Sequence, residues 1–152
     1  MTYRCIVGID PGVSGAVAFY YPDRPTLISP YDVPVADNSI NASALYDLIR
    51  DHAPDLAVVE HVHAFKGQGV TSMFNFGKSY GTALGVIGAL KIPVVHVSPA
   101  KWKKYFGLSA DKEESRGLAI DKWPACLHFR RKKDNGRAEA ALMALYGAQT
   151  QK

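Results

Sequence analysis

Two apolar runs in this chain each end in a single acid. Residues 5–9 (CIVGI) carry the β-branched Ile6, Val7 and Ile9 of a buried strand. Asp10 closes the run, and Pro11-Gly12 breaks it immediately afterwards. Residues 56–59 (LAVV) repeat the pattern and end in Glu60. A charge at the tip of a buried strand is costly unless it is paired or binds a metal. Taken alone, Asp10 also fits a turn residue capping the Pro-Gly loop. If the two strands are neighbours, the carboxylates lie side by side and raise each other's pKa unless a cation bridges them. Hard oxygen donors of this kind suit Mg²⁺ or Mn²⁺. A third acid, Glu139, stands among Ala138, Ala140, Ala141 and Leu142, which marks its surroundings as buried. On its own it fits a helix-dipole residue in a first turn, but with Asp10 and Glu60 it completes a set of three.

Such a set needs a sheet to carry it. Strands are expected at 3–9, 15–21 and near 26–33, joined by short turns as an antiparallel meander. A helix follows at 41–51, with Leu45, Leu48 and Ile49 at helical spacing and Asn41 or Ser43 as its cap. Then come a strand at 56–59, a glycine-flanked loop at 61–69, a long helix at 71–90 and a fifth strand at 94–97. Helices starting at Ser98 or Pro99, at 111–123 and at 136–148 complete the chain. The expected fold is α/β, a five-stranded mixed sheet flanked by helices, in one domain spanning 1–152. The first, fourth and fifth strands are expected to be parallel and central, and sites form outside the carboxyl ends of such strands.

Charge is unevenly spread. Residues 101–137 hold eleven basic and five acidic side chains, a net +6, whereas the remainder is −2. A basic third on a slightly acidic body suits a polyanion partner, although a solvated lysine-rich face has the same composition. No apolar run reaches the roughly 18 residues of a membrane span, and no signal-peptide pattern opens the chain. The distant Cys5 and Cys126 suit reduced thiols in a cytosolic-type compartment.

Four motifs in order carry a resemblance. They are GIDPGVSG (8–15), EHVHAFK (60–66) with FGKSYG (76–81), SPAKWKK (98–104) and RAEAAL (137–142). The chain resembles the RuvC-type Holliday junction resolvases of the RNase H-like (retroviral integrase) superfamily over nearly its whole length. The compact length suits a phage or prophage version. The resemblance implies an endonuclease in which Asp10, Glu60 and Glu139 hold divalent metal and cut branched DNA by paired nicks, leaving 5′-phosphate and 3′-hydroxyl ends. The ion expected is Mg²⁺, with Mn²⁺ able to substitute, and no nucleotide cofactor is expected. The family usually closes with two carboxylates three residues apart, but position 136 is glycine here. Asp134, the nearest upstream acid, is carried over as the fourth catalytic and metal-binding residue, with a water as the other candidate for that place.

The partner implied is a four-way junction. Lys101, Lys103 and Lys104 are candidates for charge stabilisation at the phosphate or for plain backbone contact, and Arg130, Arg131, Lys132, Lys133 and Arg137 for backbone phosphates beside the acidic helix. His63, Phe65 and Lys66, with Lys78 on the following helix, suit an unpaired base and its strand. Phe65 equally suits a core anchor for the loop. His61 and His63 lack the further ligands that zinc requires. Gly77, Gly81, Gly85 and Gly88 form a stripe that fits tight packing onto the sheet or a two-fold homodimer matching the junction's two symmetric strands.

Three other readings stay open. The actin-like ATPase and sugar kinase fold also begins G-x-D-x-G, but it needs a second domain for which 152 residues leave no room. A non-catalytic DNA-binding module would not need the acids. A flap- or fork-specific nuclease shares most of these features.

Overall fold

The computed structural model describes residues 2–64 and 66–151. A five-stranded sheet forms from β1 (Ile6–Asp10), β2 (Ala16–Tyr20), β3 (Ile28–Asp32), β6 (Leu56–Glu60) and β7 (Val94–Val97), in the order β3-β2-β1-β6-β7. β1, β2 and β3 are an antiparallel meander, and β1/β6 and β6/β7 pair in parallel. This is the mixed sheet expected. One expectation is corrected: β7 is the edge strand, not a central one. Two-residue strands β4 (Val35–Ala36) and β5 (Ser39–Ile40) add a hairpin that the sequence reading missed. Its turn places Asp37 and Asn38 at positive φ without any glycine.

Strand periodicity sorts the core into two layers. Ile6, Ala16, Ala18, Tyr20, Leu56, Val58 and Val97 face one side. There α5 (Asn135–Thr150) lies across the sheet, flanked by α3 (Pro99–Tyr105) and α4 (Lys112–Lys122). Val7, Ile9, Val17, Phe19, Ala57 and Val59 face α1 (Ala42–His52) and α2 (Val70–Ala89). α1 is capped by Asn41, whose side chain accepts from the Ala44 N–H at 3.1 Å. α3 starts at Pro99 with Ser98 as cap, and α4 starts after Asp111.

α5 sits unusually close to the sheet. A Cβ at Gly8 would overlap the backbone of Ala140, and one at Gly147 would overlap Val58. Only glycine at both places lets helix and strands approach this far, and that approach sets the height of Glu139 above β1.

The face of α2 that bears Gly77, Gly81, Gly85 and Gly88 points away from the sheet. A Cβ at any of the four would meet no neighbouring group within 4 Å among the described residues. Val70 (87% exposed) and Phe74 (69% exposed) fall on that same face by helical spacing. Packing of the stripe onto the sheet is thereby excluded.

Candidate active site

Asp10 and Glu60 occupy the last positions of neighbouring parallel strands, with Ile9 opposite Val59. The two-residue period puts Gly8 and Asp10 on the α5 side of β1. It puts Leu56, Val58 and Glu60 on the same side of β6. α5 brings Glu139 over them, buried at 4% exposure. The helix begins at Asn135, so Glu139 lies in its second turn rather than its first. The turn after β1 is set by Gly12 at φ +144°, a conformation closed to most side chains.

The three acids act on one another. Burial, then Glu60, then Glu139 push the Asp10 carboxyl up to about 7, while Lys112 and Lys103 oppose the rise. Burial, then Glu139, also raise Glu60. Two ammonium groups relieve part of this charge. Lys103 Nζ lies 3.2 Å from Glu139 Oε2, and Lys112 Nζ lies 3.3 Å from Oε1. Lys103 was expected near the phosphate; Lys112 was not singled out. It begins α4, 27 residues before Glu139, and no local spacing announces the contact.

Among the described residues, no three His, Cys, Asp or Glu side chains form a finished coordination set. The donor chemistry nevertheless fits a hard divalent cation. Three carboxylates share a partly dry strand end, one is forced towards neutrality, and lysine ammoniums stand where positive charge is needed.

Asp134 departs from its expected role. The Arg131 backbone N–H donates to Asp134 Oδ2 at 2.8 Å, and Arg131 Nη2 donates to Oδ1 at 2.9 Å. Arg137 Nη1 lies 3.4 Å from the same Oδ1. Burial pushes this carboxyl up, but the Arg131 bonds and the two guanidinium charges outweigh it and hold Asp134 below the usual range. It is an acid held by two guanidinium groups at the entry to α5. Gly136 is the position that borders Asp10. A Cβ there would stand 3.6 Å from Asp10 Oδ2 and 3.4 Å from the Ser14 carbonyl oxygen.

The expected DNA contacts divide into two groups. Lys66, Lys78, Lys101, Lys104, Arg130, Lys132 and Lys133 are exposed, and Lys78 lies over the Phe74 ring. Arg131 and Arg137 are already engaged. Arg131 holds Asp134, and Arg137 donates to Asp32 at 2.9 and 3.0 Å as well. Phe65 lies outside the described residues. His63 is exposed and borders a cleft of about 130 Å³ with Val62, Met73, Phe76 and Tyr80. His61 and His96 pack 5.9 Å apart beside it, and the Tyr80 hydroxyl lies 3.3 Å from His96 Nδ1.

No family model matches the chain. Two curated relatives, the crossover junction endodeoxyribonucleases RuvC of Nitratidesulfovibrio vulgaris strains DP4 and Hildenborough, are 37% identical over 77 residues. The match covers 50% of this chain and 45% of each relative, so the chain spans about half the length of the relatives it matches. Solved structures align over far more. The Thermus thermophilus RuvC bound to a Holliday junction substrate superposes with a TM-score of 0.65 at 13% identity, covering 97% of this chain and 96% of that one. The Fowlpox virus resolvase with Holliday junction DNA gives 0.57 at 14% identity over 96% and 97%. The yeast mitochondrial Holliday junction resolvase gives 0.57 at 15% identity over 94% and 78%. No helix among the described residues is long and apolar enough to cross a membrane. The chain therefore has the RuvC-type, RNase H-like fold of the junction resolvases, with Asp10, Glu60 and Glu139 gathered at the carboxyl end of its central strands.

Proposed function

We propose that this chain is a divalent-metal-dependent endodeoxyribonuclease that resolves four-way DNA junctions by paired nicks. The observation that carries the reading is the convergence of Asp10, Glu60 and Glu139 from β1, β6 and α5 on a fold shared with junction resolvases. Asp10, Glu60 and Glu139 would hold Mg²⁺ or Mn²⁺. When bound, such ions supply an activated water and neutralise charge on the leaving oxygen, which gives 5′-phosphate and 3′-hydroxyl ends.

The chain's own groups do the rest. Lys103 and Lys112 neutralise Glu139 and stand ready to face a phosphate brought to the acids. Exposed Lys101, Lys104, Arg130, Lys132 and Lys133 supply backbone contacts. The outward face of α2, smooth at its glycines and apolar at Val70 and Phe74, suits a two-fold pairing with a second copy. A two-fold dimer presents two active sites to the junction's two symmetric strands. A cytoplasmic setting fits this substrate.

The test is a panel of end-labelled four-way junctions, flaps, forks and linear duplexes with Mg²⁺. The wild-type chain should cut the junction in symmetric pairs. E60Q and E139Q should bind it without cutting. Cleavage of the junction by either variant at the wild-type rate removes that acid from the site. Cutting confined to flaps or forks replaces the junction reading.

A further inference from the structure

Among the described residues, one buried polar group on the side of the sheet that carries Glu60 has no partner at full hydrogen-bond geometry. Trp102 is fully buried, and its indole Nε1 makes no hydrogen bond. The other tryptophan, Trp123, is equally buried, but its Nε1 donates to the Pro25 carbonyl oxygen at 3.1 Å. A buried N–H without an acceptor is rare, and each one calls for an explanation.

Its surroundings supply that explanation. α3 begins directly after β7, and Val97 at the end of β7 is opposite Glu60. Trp102 lies one turn into α3, where side chains lean back towards the helix N-terminus and so towards the strand ends. It belongs to the same core layer as Val58 and Val97, on the α5 side of the sheet, the side to which Glu60 points. Lys103, the next residue, holds Glu139 and places its ammonium 5.4 Å from the centre of the Trp102 ring. The indole thus lies in the core layer on the side of the sheet that carries Glu60. Burial, then Glu139, raise the Glu60 carboxyl, and the Trp102 N–H lowers it as a hydrogen-bond donor would, although the contact falls short of full hydrogen-bond geometry.

We propose that Trp102 is a positioning residue for the metal centre: its indole N–H is reserved for a Glu60 carboxylate oxygen and closes onto it when Glu60 takes up a divalent ion. The inference rests on the metal-dependent reading above. Carboxylates that bind metal are themselves usually hydrogen-bonded, and losing such a supporting bond typically weakens metal affinity 10- to 100-fold. At this position the chain can offer that bond from a side chain that costs no water access, since the indole is already sealed into the core.

Two measurements on the full chain without DNA decide it. In ¹H–¹⁵N spectra the two indole N–H signals are separable, and Trp123 serves as an internal reference. Titration with Mg²⁺ should shift the Trp102 signal downfield and leave that of Trp123 in place. In Mn²⁺ titrations followed by electron paramagnetic resonance, W102F should bind about tenfold more weakly. A variant carrying benzothienylalanine at 102, which puts sulfur where the N–H was and keeps the volume, should do the same. It covers the case in which W102F packs poorly. A Trp102 signal that ignores Mg²⁺, or wild-type Mn²⁺ affinity in the benzothienyl variant, overturns the proposal while leaving the metal centre standing. A wild-type chain that binds no Mn²⁺ overturns both.

Discussion

Asp10→Asn should abolish cleavage and yet make the fold more stable. The Asp10 carboxyl is raised from 3.8 to about 7, first by burial and then by Glu60 and Glu139. An acid whose folded pKa exceeds its unfolded one stabilises the fold below the unfolded value. That contribution is lost as pH rises through the folded value. The wild-type chain without divalent metal should therefore lose stability between about pH 4 and about pH 7. At about 1.4 kcal/mol per unit, the full shift is worth up to roughly 4 kcal/mol. Asp10 is not wholly sealed from solvent, so about half of that, ~2 kcal/mol, is a sounder figure at effective protein dielectrics. For a chain of this size ~2 kcal/mol moves the melting temperature by about 4–8 °C. Calorimetry in EDTA at pH 8 should show D10N melting higher by that amount, with the gap closing towards pH 4. Added Mg²⁺ should stabilise the wild type and leave D10N unchanged. A D10N protein that melts at or below the wild type at pH 8 refutes the account of crowded, uncompensated carboxylates at this strand end.

Asp134→Asn should cost stability rather than chemistry. It breaks the buried end of the Arg131 and Arg137 pairing. Because Arg131 is half exposed, the loss should fall below that for a fully buried pair. Cleavage per folded molecule should be unchanged, and a strong loss of rate at full folding would restore Asp134 to the site. Replacing Lys132 and Lys133 by Gln should weaken junction binding and lower the log–log salt slope by about one for each phosphate no longer neutralised. An unchanged slope makes them a solvated face. Gly81→Leu meets open space in the protomer, so circular dichroism should show a folded chain. Sedimentation should show a monomer that no longer makes the two nicks in concert. A folded dimer would rule out α2 as the interface.

Much of the placement of the candidate site was legible because its carriers are local. The apolar runs ending in Asp10 and Glu60 state both the strand and the position of the acid on it, and the two-residue period states which face each acid takes. What escaped was set by contacts or backbone conformations that composition does not announce. β7 lies at the edge although residues 94–97 look as apolar as a central strand. In the β4–β5 hairpin, Asp37 and Asn38 take left-handed conformations usually signalled by glycine. Lys112 reaches Glu139 only because α4 packs on α5, and Trp102 shows its unmet N–H only once α3 is folded against β7. Asp134 is the instructive case, because the decisive signal was present. Arg131, Asp134 and Arg137 are spaced three apart, and that spacing pairs opposite charges within one turn of helix. An acid with a guanidinium three residues to either side is already neutralised, and a cation arriving at the site would first have to displace both. Glu139 differs in this respect. Its cations come from α3 and α4, and Lys112 in particular is held by a long side chain, 59% exposed, that can swing away at little cost. On the proposed reading, the acid that can exchange its partners receives the metal, and the acid locked between two neighbouring arginines holds the helix start.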